Sequence, residues 1–250
     1  MLEKKIRTTF NKGCSEYGLL NDGDCILVGV SGGKDSLTLL KLLAERSRIY
    51  KPKIHVEAVH IVMDNIPYEI DTDFIQQFCR ELGVRLHILH TSFDATTDKR
   101  KTPCFLCSWQ RRKMLFNFAK EQNFNKVALG HHQDDFITTM FMNMSFEGAF
   151  AAMSPSTTMT HYPITIIKPL CMVAEKDIAL YAKENGWKGQ KKNCPFEEDT
   201  QRKRIGQEVQ ELMKIHPEIR FNLWKCMHNI QKDRLPQTKD KKNNCAPSSE

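Results

Sequence analysis

Residues 24–36 read DCILVGVSGGKDS, and the fold turns on this run. Ile26, Leu27, Val28 and Val30 form the apolar, β-branched stretch expected of a strand covered on both faces. Ser31-Gly32-Gly33 then supplies two consecutive residues without a Cβ, so the backbone can turn sharply and approach a ligand. Leu37, Leu40 and Ala44 recur at helical spacing, with Leu39 and Leu43 beside them. A strand, a glycine turn and a helix N-terminus make an anion site, because free N–H groups and the helix dipole both favour negative charge. The common phosphate loop, G-x-x-x-x-G-K-[ST], is excluded: it needs glycine at Val28 and Ser or Thr at Asp35.

Outward from that run, strands and helices alternate. A helix carrying Leu2, Ile6 and Phe10 precedes it. Strands are expected at His55–Met63, Val84–Leu89, Lys126–Gly130 and Thr165–Leu170. Helices are expected at Phe74–Leu82, from Leu106 onward, around Ile137-Met140-Phe141-Met144, and at Glu175–Asn185. Gly83 and Gly186 stand where helix C-caps need a left-handed residue. Thr91–Pro103 and Glu147–Thr160 show no periodicity and are expected as loops. The pattern predicts an α/β fold: a doubly wound, five-stranded parallel sheet with right-handed crossovers, ligands lying at the carboxyl ends of its strands. Residues 1–186 form the expected α/β domain, 187–237 a small C-terminal helical appendage with Ile205, Val209, Leu212 and Met213 on one face, and 238–250 a disordered tail.

The chain has 250 residues, a formal net charge of +7 and nine cysteines. The charge fits a polyanionic partner or a solvated basic surface equally well. No apolar run can span a bilayer and the N-terminus lacks a signal-like apolar segment, so a cytoplasmic protein with no membrane association is expected. Cysteines in odd number and irregular spacing argue against a disulfide scaffold.

Three of the cysteines carry chemistry. Cys104-Phe105-Leu106-Cys107 is a C-x-x-C at the start of a helix, and Cys194 lies in a loop before the last helices. A redox pair and unligated thiols are alternatives for the first two. Structural zinc needs four ligands, which this set supplies only if His90 or another cysteine joins. Three thiolates leave a position open, which suits a [4Fe-4S] cluster whose unique iron takes an exogenous ligand. Cys14, Cys25, Cys79, Cys171, Cys226 and Cys245 read as core or surface residues.

Ser31–Ser36 resembles the loop of the PP-loop ATP pyrophosphatases, which cleave ATP between the α and β phosphates. The resemblance sharpens when the other motifs are added: Cys104–Cys107 leading to Arg111-Arg112, Gly130-His131-His132-Gln133-Asp134-Asp135, Phe141-x-Asn143-Met144, Lys168-Pro169-Leu170, and Cys194 followed by Gln201-Arg202. In this order they resemble the tRNA 2-thiocytidine synthetase family, over roughly residues 24–230. That resemblance implies ATP, Mg²⁺ and a [4Fe-4S] cluster held by Cys104, Cys107 and Cys194, a tRNA substrate thiolated at C2 of cytidine 32, and a sulfur donor such as a cysteine desulfurase or hydrosulfide. A homodimer is a further family-level expectation. Two departures stand out: Lys191 replaces a cysteine that some members carry, and the paired zinc motifs of the 2-thiouridine branch are missing.

On the same resemblance, ATP is expected against Val30, Ser31, Gly32, Gly33, Lys34, Asp35, Ser36, Val59, His60, Gly130 and Asp134. Asp35 either helps place Mg²⁺ or caps the helix. Asp35, Asp134, Asp135 and Arg111 are the catalytic candidates. Only one of His131 and His132 should reach the site if both lie on a strand. Arg111, Arg112, Lys191 and Arg202 are the RNA-binding candidates, within a basic group that includes Lys99-Arg100-Lys101, Lys188 and Lys192. Phe105, Trp109 and Trp187 can stack a base, but burial is the expectation for each. Rival functions are a 2-thiouridine synthetase or other PP-loop tRNA-modifying ligase, a non-catalytic RNA-binding protein with structural zinc, and a small-molecule amide-forming synthetase.

Overall fold

A computed structural model describes residues 1–66, 71–94, 102–187 and 201–236. The opening run folds as read: β1 (Cys25–Gly29) leads through a turn, with Gly32 at φ +80°, into α2 (Lys34–Ser47). Alternation along β1 sends Ile26 and Val28 to one side of the sheet and Leu27 to the other, and all three are fully buried. The first side packs on α1 (Leu2–Glu16), α2, α3 (Thr72–Leu82) and α6 (Glu175–Glu184) through residues such as Phe10, Leu40, Ile75 and Ile178. The second packs on α4 (Pro103–Glu121) through Leu115, Phe116 and Ala119.

The sheet is completed by β2 (His55–Met63), β3 (Leu86–Thr91), β4 (Lys126–Ala128), β5 (Ser156–Thr158) and β6 (Thr165–Ile167), in the order β3-β2-β1-β4-β6-β5. Every pairing is parallel except β5 on β6. The five parallel strands are those expected. The sixth is a correction: Glu147–Thr160 was expected as loop throughout, but Ser156–Thr158 doubles back on β6 as an antiparallel edge. A strand of three residues is too short for alternation to show in sequence. β6 likewise stops at Ile167, because Lys168 to Cys171 turns, with the Cys171 amide donating to the Lys168 carbonyl at 3.0 Å.

Helix ends follow local chemistry. Asp71 accepts the Phe74 amide at 2.8 Å to cap α3, and Gly83 closes it in the left-handed region at φ +69°. Thr102 caps α4 with Pro103 in its first turn, so the helix starts before Leu106 and takes in both cysteines of the C-x-x-C. At the amino ends of β1 and β4, Lys126 donates to Asp24 (2.7 Å) and to the Leu19 carbonyl (2.8 Å), a buried pair that ties the two strands in register.

Chain direction across the sheet reverses between β1 and β4. From β1 the chain builds outward through β2 and β3, and from β4 through β6. The crevice at the carboxyl ends of these two strands is where an open α/β sheet leaves room for a ligand. Loop 30–33 and loop 129–132 both open there.

The chain divides into two compact units, Met1–Val209 and Gln210–Glu250. α7 (Gln201–Ile215) buries Val209 and half-buries Ile205, on the face expected. In the second unit α8 (Ile219–Cys226) buries Trp224, whose ring lies 5.8 Å from that of His228. The expected tail at 238–250 lies outside the described residues. Among the described residues no helix is long and apolar enough to cross a membrane.

Candidate active site

The turn after β1 is held by its own serines. Ser36 Oγ donates to the Gly33 carbonyl at 2.9 Å and accepts the Ser31 amide at 3.2 Å, while the two hydroxyl oxygens stand 3.3 Å apart. Gly33 is the N-cap of α2 in an extended conformation, with no side-chain cap. The expectation that Asp35 caps this helix is corrected: Asp35 stands in the first turn after the Gly33 cap, and its carboxylate pairs with the Lys34 ammonium. Its Oδ1 is shut off from solvent without a hydrogen bond and lies 3.2 Å from the Lys34 ammonium. Lys34 also reaches Glu175 at 3.1 Å. Burial works against its charge, but Asp35 and Glu175 outweigh burial and push the pKa up.

Gly130 explains how the second loop comes so close. A Cβ there would stand 3.1 Å from the Ser36 amide nitrogen and 3.2 Å from the Asp35 carbonyl carbon, so glycine lets the loop after β4 rest on the first turn of α2 without displacing its backbone. Next come His131 and His132. The alternation that would apply on a strand does not arise: β4 ends at Ala128, two residues short of the expected Gly130, and His132 is the N-cap of α5 (Gln133–Met142). Its buried ring bridges the two loops, 3.8 Å from Asp35, 3.8 Å from Asp134 and 3.5 Å from Asp135. Burial lowers the pKa of His131, with Asp135 opposing.

The two aspartates of α5 are separated by their partners. Asp134 is buried and accepts the Glu175 amide at 2.7 Å, so it holds the start of α6, whose own N-cap, Ala174, has no side chain to do so. Asp135 accepts the His132 amide at 2.9 Å and pairs with Arg202 of α7 at 2.7 Å. Burial would raise its pKa, but His132, that amide and Arg202 together pull it below the ordinary value. Arg202 also donates to Thr139 at 3.2 Å, so its guanidinium fastens α7 to α5.

Above β1 and β2, the Val30 amide donates to the Val59 carbonyl at 2.8 Å, and the Val30 carbonyl accepts from His60 Nδ1 at 2.7 Å. A carbonyl only accepts, so Nδ1 carries the proton. Burial, then Arg111 and His90, depress the His60 pKa against the raising effect of the Val30 bond. The ring is neutral, and its Nε2 is a buried acceptor with no hydrogen-bond partner.

Arg111 belongs to α4, which packs on β2, the strand that carries His60. Gln110 fastens that helix to the end of β3, donating to Thr91 at 2.8 Å. Cys104 is exposed and Cys107 half-buried, one helical turn apart and both as thiols. Two thiolates on one turn are a suitable part of an iron–sulfur ligand set. Cys194 and Lys191 lie outside the described residues, as do Lys99, Arg100, Lys101, Lys188 and Lys192. Among the described residues no three His, Cys, Asp or Glu side chains are grouped to hold a metal. Cys14, Cys79 and Cys171 are core residues, as expected, and burial pushes their thiols up to about 12, 11 and 12.

The aromatic candidates divide. Trp187 packs edge-on against Phe78 and Tyr181 at 5.3 and 5.5 Å, as expected. Phe105 and Trp109 are instead 47% and 51% exposed, which overturns the expectation of burial. Glu175 went unnoticed in the sequence, because an acidic residue in the first turn of a helix is ordinary and nothing local ties it to Lys34.

A family profile described as PP-loop domain matches residues 2–213. The tRNA-cytidine(32) 2-sulfurtransferase of Geotalea daltonii is 36% identical over 240 residues, covering 94% of this chain and 94% of that protein. The enzyme of the same name from Geobacter sulfurreducens is 34% identical, covering 91% and 90%. Among solved structures, the U34-tRNA thiolase NcsA from Methanococcus maripaludis with its [4Fe-4S] cluster superimposes with a TM-score of 0.73 at 24% identity, over 95% of this chain and 82% of that one. At that identity the likeness shows the fold.

Proposed function

The chain belongs to the PP-loop family and, within it, to the tRNA-cytidine(32) 2-sulfurtransferases, and from this we propose that it spends ATP to exchange the C2 oxygen of a tRNA cytidine for sulfur. The observation that carries the reading is the meeting of two motifs at one crevice. The PP-loop opens beside His60 of β2, and α4, the helix that carries the C-x-x-C and Arg111, packs on that same strand.

The C2 oxygen of cytidine is a poor leaving group. In the proposed reaction it attacks the α phosphorus of ATP, forming a C2–O–P bond, and the α–β bridge breaks with its electron pair leaving on pyrophosphate. Sulfide then adds to C2, the C2–O bond breaks, and AMP departs. The Ser31 and Ser36 hydroxyls, the Gly32-Gly33 backbone and the α2 N-terminus receive the leaving pyrophosphate. Lys34, already charged, turns from Glu175 to phosphate. The unbonded Oδ1 of Asp35 suits Mg²⁺, a hard cation that takes carboxylate oxygen. Neutral His60 offers Nε2 to the adenine amino group. Arg111 balances charge developing at the α phosphate. Asp134 and Asp135 hold α5 against α6 and α7, so their part is to position the loop that carries His132.

Cys104, Cys107 and Cys194 would hold a [4Fe-4S] cluster, and its open iron would supply bound sulfide to the activated base. Hydrosulfide or a cysteine desulfurase is the proposed sulfur source, and the cytoplasm the proposed compartment. The test is anaerobic reconstitution with iron and sulfide, then incubation with unmodified tRNA, ATP and sulfide, and mass analysis of the nucleosides. 2-Thiocytidine at position 32 is expected, lost more than about a hundredfold in Cys107→Ser with ATP binding retained. 2-Thiouridine, or full activity in an iron-free protein, would overturn the reading.

A further inference from the structure

At about 100° per residue, Phe105, Trp109, Arg112 and Phe116 share one stripe of α4, about 60° wide. The cysteines and Arg111 occupy another, about 140° around the helix. Along the first stripe the environment changes. Phe116 is 7% exposed and meets the Tyr162 ring at 5.7 Å, whereas Trp109 is half exposed. Trp109 carries the Lys113 ammonium 5.1 Å from its ring centroid, and Arg112 and Lys113 are both exposed. Exposing a large aromatic costs solvation that burial would recover, so an exposed one among cations marks a contact surface. Alternating rings and cations on one face match an unpaired nucleotide: the ring takes a base by stacking and the cations take its phosphates.

We infer that Trp109, flanked by Arg112 and Lys113, is a stacking site for an unpaired base of the tRNA substrate, one that flanks the reacting cytidine. The inference rests on the tRNA reading above. Trp109 and the cysteines are on different sides of one helix, so a base on Trp109 is not the base at the reacting centre. A helix is about 10 Å across, which keeps the two within one loop of RNA. Stacking accepts every base, so the site contributes affinity and register without reading sequence.

The experiment measures binding of unmodified tRNA transcript, and of its anticodon stem-loop, to the full chain by quenching of tryptophan fluorescence and by filter binding. Trp187 is packed and Trp224 is 7% exposed, so quenching reports chiefly on Trp109. Trp109→Ala is expected to weaken binding of both RNAs about tenfold and raise the KM for tRNA to match, with the KM for ATP unmoved. Trp109→Phe should restore binding to within about twofold, since a ring is retained. Wild-type affinity in Trp109→Ala overturns the inference. So does a change in oligomeric state by light scattering with tRNA binding intact, which would assign the face to another copy of the chain. Wild-type protein that binds no tRNA overturns the tRNA reading itself.

Discussion

His60 shows how much a single side chain decides. Its Nδ1 proton is committed to the Val30 carbonyl, so Nε2 can only accept. An amino group at purine position 6 satisfies it and a carbonyl oxygen repels it. His60→Phe should therefore raise the KM for ATP about tenfold, the worth of one buried hydrogen bond, and narrow the preference for ATP over GTP. Steady-state kinetics with both nucleotides measure this, and unchanged selectivity would exclude the role. Lys34 and Asp35 were legible as charged residues of an anion loop. The bond from Lys34 to Glu175, 141 residues away, was not, because sequence distance says nothing about which carboxylate folds back onto which ammonium.

Helix ends and strand ends do the assembling at the next scale. Gly130 is the clearest case, since its missing Cβ lets the loop after β4 lie close against the first turn of α2. Gly130→Ala should push the two loops apart, costing about 1–3 kcal/mol of stability by overpacking and at least tenfold in ATP affinity. Urea denaturation and calorimetric titration with ATP read the two effects separately. α5 extends the same logic, because Asp134 fastens it to α6 and Asp135 to Arg202 of α7. Periodicity located these helices well. It missed β5, a three-residue strand, and it ran β4 on to Gly130 because the apolar run gives no sign that pairing ends at Ala128.

Across the whole molecule, burial gathers titratable groups at the carboxyl edge of the sheet, and this predicts a pH response. His60 and His131 both have folded pKa values below the ordinary histidine value because burial disfavours their charge. The unfolded chain therefore binds more protons as pH falls through about 6.5, so stability drops on acidification and is regained as pH rises. Denaturation at pH 7.5 should show higher stability than at pH 5.5, and His60→Phe should flatten the difference. Sequence alone determined which elements form, their order, and the three motifs on them, because strand alternation, helical spacing and glycine turns are local properties of a few neighbouring residues. Only the tertiary structure decided which carboxylate serves which helix, that Arg202 holds Asp135, and that Trp109 faces solvent while Trp187 does not. Those outcomes depend on segments far apart in the chain meeting across a sheet whose strand order reverses between β1 and β4, and no local pattern encodes that meeting.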